Sequence, residues 1–243
     1  MGLLFGAAQV ATAMPAQAPL VDRQAQWPAW TLPAPLQRPG RRDLLLPSWM
    51  LGSWMLQEVD PDGPSNSTIP DQPTALGEPV TGPSPRPAST PAALTPVNTP
   101  GVSVRFLEIR RGQVVGDRAF NALAIGRSVL GDSLLSVDND PENPNRQLAR
   151  LRGDRLLEST VIGRASVSLD PDTFLADELT LQILHGPGQP QISQVEVLAR
   201  YQRLEDGVAI EQWQASYGSP GDSAEARRSS HQRMVLRRSS AEG

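Results

Sequence analysis

Two alternating runs flank an Asp206, Gly207 step, and they constrain the fold more than any other feature of the chain. Val195, Val197, Ala199 and Tyr201 alternate before it; Ala209, Glu211, Trp213, Ala215 and Tyr217 alternate after it. A side-chain period of two is that of a strand, and Asp-Gly between two such runs is the strongest short-range signal of a hairpin. Val102, Val104 and Phe106 alternate in the same way ahead of a turn at "RRGQ", and two later runs are joined through Gly153 and Asp154. "HQRMVLRR" at 231–238 reads as a final short strand. About eight to ten strands at even spacing predict an all-β fold, an antiparallel barrel or sandwich. One stretch changes period: in "DRAFNALAIGRSVLG", residues 117–131, Asp117 is placed as an N-cap, Phe120, Leu123, Ala124 and Arg127 recur at helical spacing, and Gly131 supplies the stop.

Around this body the organisation is uneven. Residues 1–18 read as an export signal, with an apolar run at 3–13 and the cleavage-like "ATA" and "AQA", although the basic flank ahead of it is missing. Residues 19–43 form an arm punctuated by Pro and carrying Trp27 and Trp30, expected to lie extended across the folded body. Residues 44–59 contain the first strand. Residues 60–101 hold 11 Pro and no aromatic side chain, too little apolar area to offset ordering, and read as a disordered insertion. The remainder of the barrel occupies 102–239.

Composition excludes several chemistries. There is no Cys, so disulfides and thiolate chemistry are unavailable. All 22 basic residues are Arg, which removes Schiff-base and phosphate-loop lysines. A net charge of −4 argues against nucleic acid as a partner. No stretch has the length of a transmembrane helix. Asp138, Asp140 and Glu142 alternate as a calcium loop begins, but Asn143 and Ala149 stand where that loop needs Gly and Glu, so a turn built by Asn and Pro is expected instead. His185 and His231 belong to no motif, and no catalytic or metal-ligating set is read from the chain.

The segment "PSWMLGSWMLQEV", residues 47–59, places Trp49 and Trp54 around Gly52 in a chain with 5 Trp. A strand opening Gly-x-Trp, in a chain whose last strand ends in "VLRR", resembles the calycin barrels, the lipocalins and their relatives. The resemblance implies that Trp54 closes one barrel end and that Arg237 or Arg238 lies over its ring, where guanidinium on indole is favourable. A second resemblance covers most of the chain: "PLVDRQAQWPAW", "GRRDLLLPSWMLGSW", "VSVRFL", "DRAFNALAI", "DPENPNRQ", "VIGR" and "QASYGSPGD" are similar to an uncharacterised family of exported cyanobacterial and plastid proteins, a domain of unknown function. That resemblance implies a thylakoid-lumen or periplasmic location and no known activity.

Two functions follow as expectations. The first is a non-enzymatic, lipocalin-like protein binding a small hydrophobic or amphipathic ligand, since eight-stranded barrels are wide enough for one. Arg118 and Asn121 at the helix start, Arg146 and Trp213 are its candidate ligand-binding residues. With four Phe and two Tyr to fill the interior, a cavity or a Leu/Val-packed barrel is favoured. The second is an interaction or assembly factor for a photosynthetic membrane complex, with a filled barrel core. Any cofactor is left unspecified.

Overall fold

Strands pair wherever the alternation predicts them, and together they form one sheet. The computed structural model describes residues 18–32, 36–59 and 101–239. The expected signal and Pro-rich insertion, Ala18 and Gly101 apart, lie outside the described residues. Among the described residues there are ten strands: β1 (Gly52–Glu58), β2 (Val102–Arg110), β3 (Gln113–Gly116), β4 (Leu134–Asp140), β5 (Asn143–Leu151), β6 (Arg155–Ser168), β7 (Thr173–His185), β8 (Gln191–Arg203), β9 (Gly207–Tyr217) and β10 (Arg228–Arg238). The fold is mostly β, a single antiparallel sheet curled strongly into a half-barrel, with order β3-β2-β1-β10-β9-β8-β7-β6-β5-β4.

The first and last strands of the chain pair, as in a closed barrel, with Trp54 opposite Arg238 and Leu56 opposite Leu236. The seam falls instead between β3 and β4, the two edges. The helix predicted at 117–131 is α2 (Arg118–Leu130), and it joins those edge strands and packs on β2 and β4. Asp117 caps it by accepting the Phe120 amide at 3.3 Å, and Gly131 ends it at φ 54°. None of its residues is fully buried, because it spans a seam rather than entering a core.

The arm closes what the strands leave open. Its first part is a helix, α1 (Ala18–Ala25), and not extended chain. Leu20 and Arg23, three residues apart and on one helical face, are both buried, so contact with the sheet holds this short helix in place. Further on, Gln37 bridges Arg164 along the part of β6 that β5 does not reach. Gly163 makes this crossing feasible, since a Cβ there would stand 2.8 Å from Leu36. Leu46 then bridges Val114 on the free side of β3, its amide donating to the Val114 carbonyl at 2.8 Å. The arm and the residues that lead from it into β1 thus run from β6 to β3 across the seam.

Two apolar clusters lie on opposite faces of the sheet. One gathers Val114 of β3, Val104 of β2, Trp54 of β1, Leu236 of β10, Val208 and Ile210 of β9, and Phe174 and Ala176 of β7, with Leu46 and Met50 of the segment between the arm and β1. Strands so far apart in the sheet meet only on a concave face. The other cluster sets Leu20 and Trp30 of the arm against Leu175, Leu198, Trp213, Ala215 and Tyr217. It occupies the convex face of β7, β8 and β9. The register explains the two alternating runs: Val197 lies opposite Gln214 and Leu198 opposite Trp213, so the first run faces inward and the second outward.

Candidate functional site

The concave face divides into three zones along the strands. The first is a filled apolar end around Trp54. Its indole Nε1 donates to the Met50 carbonyl at 2.7 Å, and the Arg238 guanidinium lies 3.9 Å above its ring. Arg238 also donates to the Leu51 carbonyl at 2.7 Å. Arg237, on the other side of the strand, pairs with Asp206. Gly52 sits at φ 116°, and a Cβ there would collide with the Arg238 guanidinium. Gly52→Ala therefore both strains the backbone and displaces the cation, with an expected loss of about 1–3 kcal/mol in urea unfolding. A loss below 0.5 kcal/mol would show that the stack tolerates the methyl group. Trp49 packs at the edge of this zone and donates to the Pro171 carbonyl at 3.2 Å.

The second zone is a girdle of charge. Arg118 of α2 donates to Asp43 of the arm at 2.7 Å and to Glu178 of β7 at 2.8 Å. Arg164 of β6 reaches the same Glu178 at 2.7 Å, and it donates to the Asn145 side chain of β5 at 2.6 Å and the Arg42 carbonyl at 2.7 Å. Asn145, itself buried, returns its amide to the Gly40 and Arg42 carbonyls. Two guanidiniums meet two carboxylates, so the girdle is formally neutral. Burial alone would raise the Glu178 pKa, but the Arg118 and Arg164 charges outweigh it and hold the carboxyl below its ordinary range. Burial opposes, and Glu178 and Asp43 more than restore, the charge on Arg118, whose pKa is raised. This network ties α2, the arm, β5, β6 and β7 together across the seam. Beside it lies a cleft of about 300 Å³ lined by Leu107, Val115, Arg118, Asp140, Pro141 and Pro144 among others.

The third zone is open and uncharged over most of its area. Inward positions of β7 to β10 below the girdle carry Thr180, Gln182, Ser193, Gln212, Gln214, Ser216, Ser230 and Gln232, with Val195 and Val197 between them. Among the described residues, the side-chain amides of Gln182, Gln212, Gln214 and Gln232 have no hydrogen-bond partner in the protein, and they are half-buried or exposed. The half of β10 at Arg228–Gln232 pairs with β9 and not with β1, and among the described residues no strand flanks the trough on that side.

The four residues expected to hold a ligand are not gathered in one place. Arg118 enters the girdle. Asn121 lies on the edge of β2, where its side chain accepts from the Arg105 amide at 2.8 Å and donates to the Arg105 carbonyl at 3.0 Å. It does there what a neighbouring strand would do. Arg146 is on the outer side of β5, paired with Asp140 at 2.9 Å and Glu158 at 2.8 Å. Those two carboxylates raise its pKa. Trp213 is on the convex face beneath the arm, stacked on His231 with centroids 5.1 Å apart. His231 also meets Glu211 at 3.0 Å, and His185 pairs with Glu158. The acidic run at 138–142 ends β4 and makes the turn into β5, with the Glu142 amide donating to Asp140 at 2.8 Å.

Sequence reading missed the two charged centres. The second lies on the convex face, where Arg23 of α1 grips Glu196 of β8 with two bonds, Nε to Oε1 at 2.7 Å and Nη2 to Oε2 at 2.6 Å. The Tyr217 hydroxyl donates to the same carboxylate at 2.6 Å, and Arg23 stacks 4.6 Å from the Trp30 ring. The available signal was "ADEL" in the middle of an apolar strand: adjacent acids at 177 and 178 must point to opposite faces, so each face needed a buried answer to a carboxyl.

Among the described residues, no helix is long and apolar enough to cross a membrane. No curated protein and no solved structure matches this chain. A family model matches residues 39–241, a span that contains all ten strands, α2, the charged girdle and the Trp54–Arg238 stack, and the chain belongs to that family, the domain of unknown function DUF6816.

Proposed function

We propose that this protein is a non-enzymatic interaction module whose filled barrel end is a support and whose open trough is the binding surface. The division of the concave face carries this reading. One end is packed by the protein's own Met50, Trp54, Phe174 and Leu46, which leaves a carrier's cargo no room there. The other presents unpartnered amides and hydroxyls over an almost uncharged surface, suited to the backbone and polar side chains of a polypeptide segment. Resemblance to exported cyanobacterial and plastid proteins supplies a setting, thylakoid lumen or periplasm, and a photosynthetic membrane complex as the partner to try first.

Gln214→Arg tests the trough directly. Its neighbours on the inward face are Val197 and Ser230, so a guanidinium there adds bulk and an unpaired charge without touching the girdle. The tagged protein captured from its own host should lose its co-isolated polypeptides at least tenfold with this variant. A substitution at exposed Arg203 should leave them. Equal capture by wild type and Gln214→Arg would remove the trough from the proposal. The 300 Å³ cleft beside Arg118 keeps small-ligand binding as a second reading, because it has the lower-limit volume of ligand pockets and both apolar and charged walls. Native mass spectrometry of the host-isolated protein separates the two, since a stoichiometric small molecule would favour the cleft.

A further inference from the structure

The arm is pinned to the convex face at a place where a third acid lies buried. Asp177 of β7 has no exposed surface, and neither of its oxygens has a hydrogen-bond partner of ordinary geometry. It stands on the outward side of the sheet, opposite Leu198 of β8 and Ala165 of β6. Glu196, two residues from Leu198 on the same face, is already engaged by Arg23 and Tyr217. Two carboxyls therefore lie diagonally across β7 and β8 on one face with Arg23 engaging Glu196 alone, and a proton on Asp177 would let it donate to its neighbour while leaving Glu196 charged for Arg23.

We propose that these groups form a proton-dependent latch, which holds the segment from α1 to Trp30 against β7, β8 and β9 while Asp177 carries its proton and loosens that segment when the proton leaves. The elements packed around Asp177 bring Arg23 from α1, Glu196 from β8, Tyr217 from β9 and, through its own strand, Glu178 on the opposite face; β6 presents the uncharged Ala165 opposite it. Burial first, and then the Glu196 charge, push the Asp177 carboxyl up to about 8, while Arg23 pulls the other way. With the arm lifted, water reaches the carboxyl and its pKa falls towards the ordinary value near 4.

Below about pH 4 Asp177 is protonated in both states, so closure is fully favoured. Between about 4 and 8 only the closed state binds the proton, and each pH unit raises the open fraction about tenfold. Above about 8 the carboxyl is ionised in both, and the dependence ends. Leu20 and Trp30 still bury apolar area, so the open form is a minor state whose population changes rather than a released arm.

Hydrogen exchange read by mass spectrometry on the full chain tests this, with observed rates divided by the intrinsic chemical rate at each pH. Protection of amides in 20–32 should fall about tenfold per unit from pH 5 to 8 and then level off. A β1 peptide, 52–58, reports opening of the concave core and should keep a different profile. Asp177→Asn should flatten the arm's dependence; Asp177→Ala, which also cannot ionise, serves if the buried amide harms folding. A flat wild-type profile, a fall shared by both peptides, or an unchanged slope in the non-ionising variants would each overturn the latch. None of these outcomes bears on the trough, which is tested by capture.

Discussion

Glu178→Gln is expected to lower the unfolding free energy by about 3 kcal/mol, the lower end of the range for breaking a buried ion pair. The substitution keeps shape and removes the charge that Arg118 and Arg164 both need. Asp43 remains 2.7 Å from Arg118 but 3.9 Å from Arg164, so one guanidinium, 8 % exposed, loses its main counterion. For a chain of this size that corresponds to roughly 6–12 °C in Tm. Urea and thermal unfolding give the number, and a loss under 1 kcal/mol would mean that the girdle relaxes around a neutral partner. The pH dependence has a definite sign. Because the folded-state pKa of Glu178 is depressed, its contribution is present above the ordinary carboxylate range and is lost as pH falls through the folded value. The gap between wild type and Glu178→Gln should therefore narrow on acidification.

Trp54→Ala should cost about 3–5 kcal/mol, the usual penalty for emptying a buried aromatic site. Trp54 is 3 % exposed and touches strands from both sides of the half-barrel, so the cavity cannot collapse by moving one neighbour. Arg238 also loses the ring on which it lies. Arg238→Lys keeps the charge but not the planar stack or the reach to Leu51, and should cost about 1 kcal/mol. Circular dichroism in urea separates these outcomes, with an unchanged m-value showing that stability alone has moved. If Trp54→Ala lost less than 1.5 kcal/mol, the indole would be a cover over the barrel end and not its filling.

These two sites differ in how far they could be read beforehand. The Gly-x-Trp opening and the terminal arginines are local patterns, and strand pairing brings Trp54 and Arg238 directly opposite each other. The girdle has no such pattern: Asp43, Arg118, Asn145, Arg164 and Glu178 come from five elements over 135 positions, and only curling of the sheet brings them together. The helix at 118–130 was legible from its cap, its period and its stop, because those are interactions within one turn. Its docking by Asn121 on Arg105 was not, because an amide that completes a strand edge looks in sequence like any polar residue at a helix start.

Alternation also has a limit that Trp213 exposes. A period of two says that neighbouring side chains point to opposite faces; it cannot say which face is concave or whether something covers the other. Trp213 was expected to face a ligand and instead lies under Trp30, because an arm nearly two hundred residues earlier returns to cover the convex side. Strand number, hairpin turns and the helix are written in contacts between residues close along the chain, and they could be read there. Where the sheet opens, what crosses its seam, and which face is filled depend on contacts across long sequence separations, and those exist only once the chain has curled upon itself.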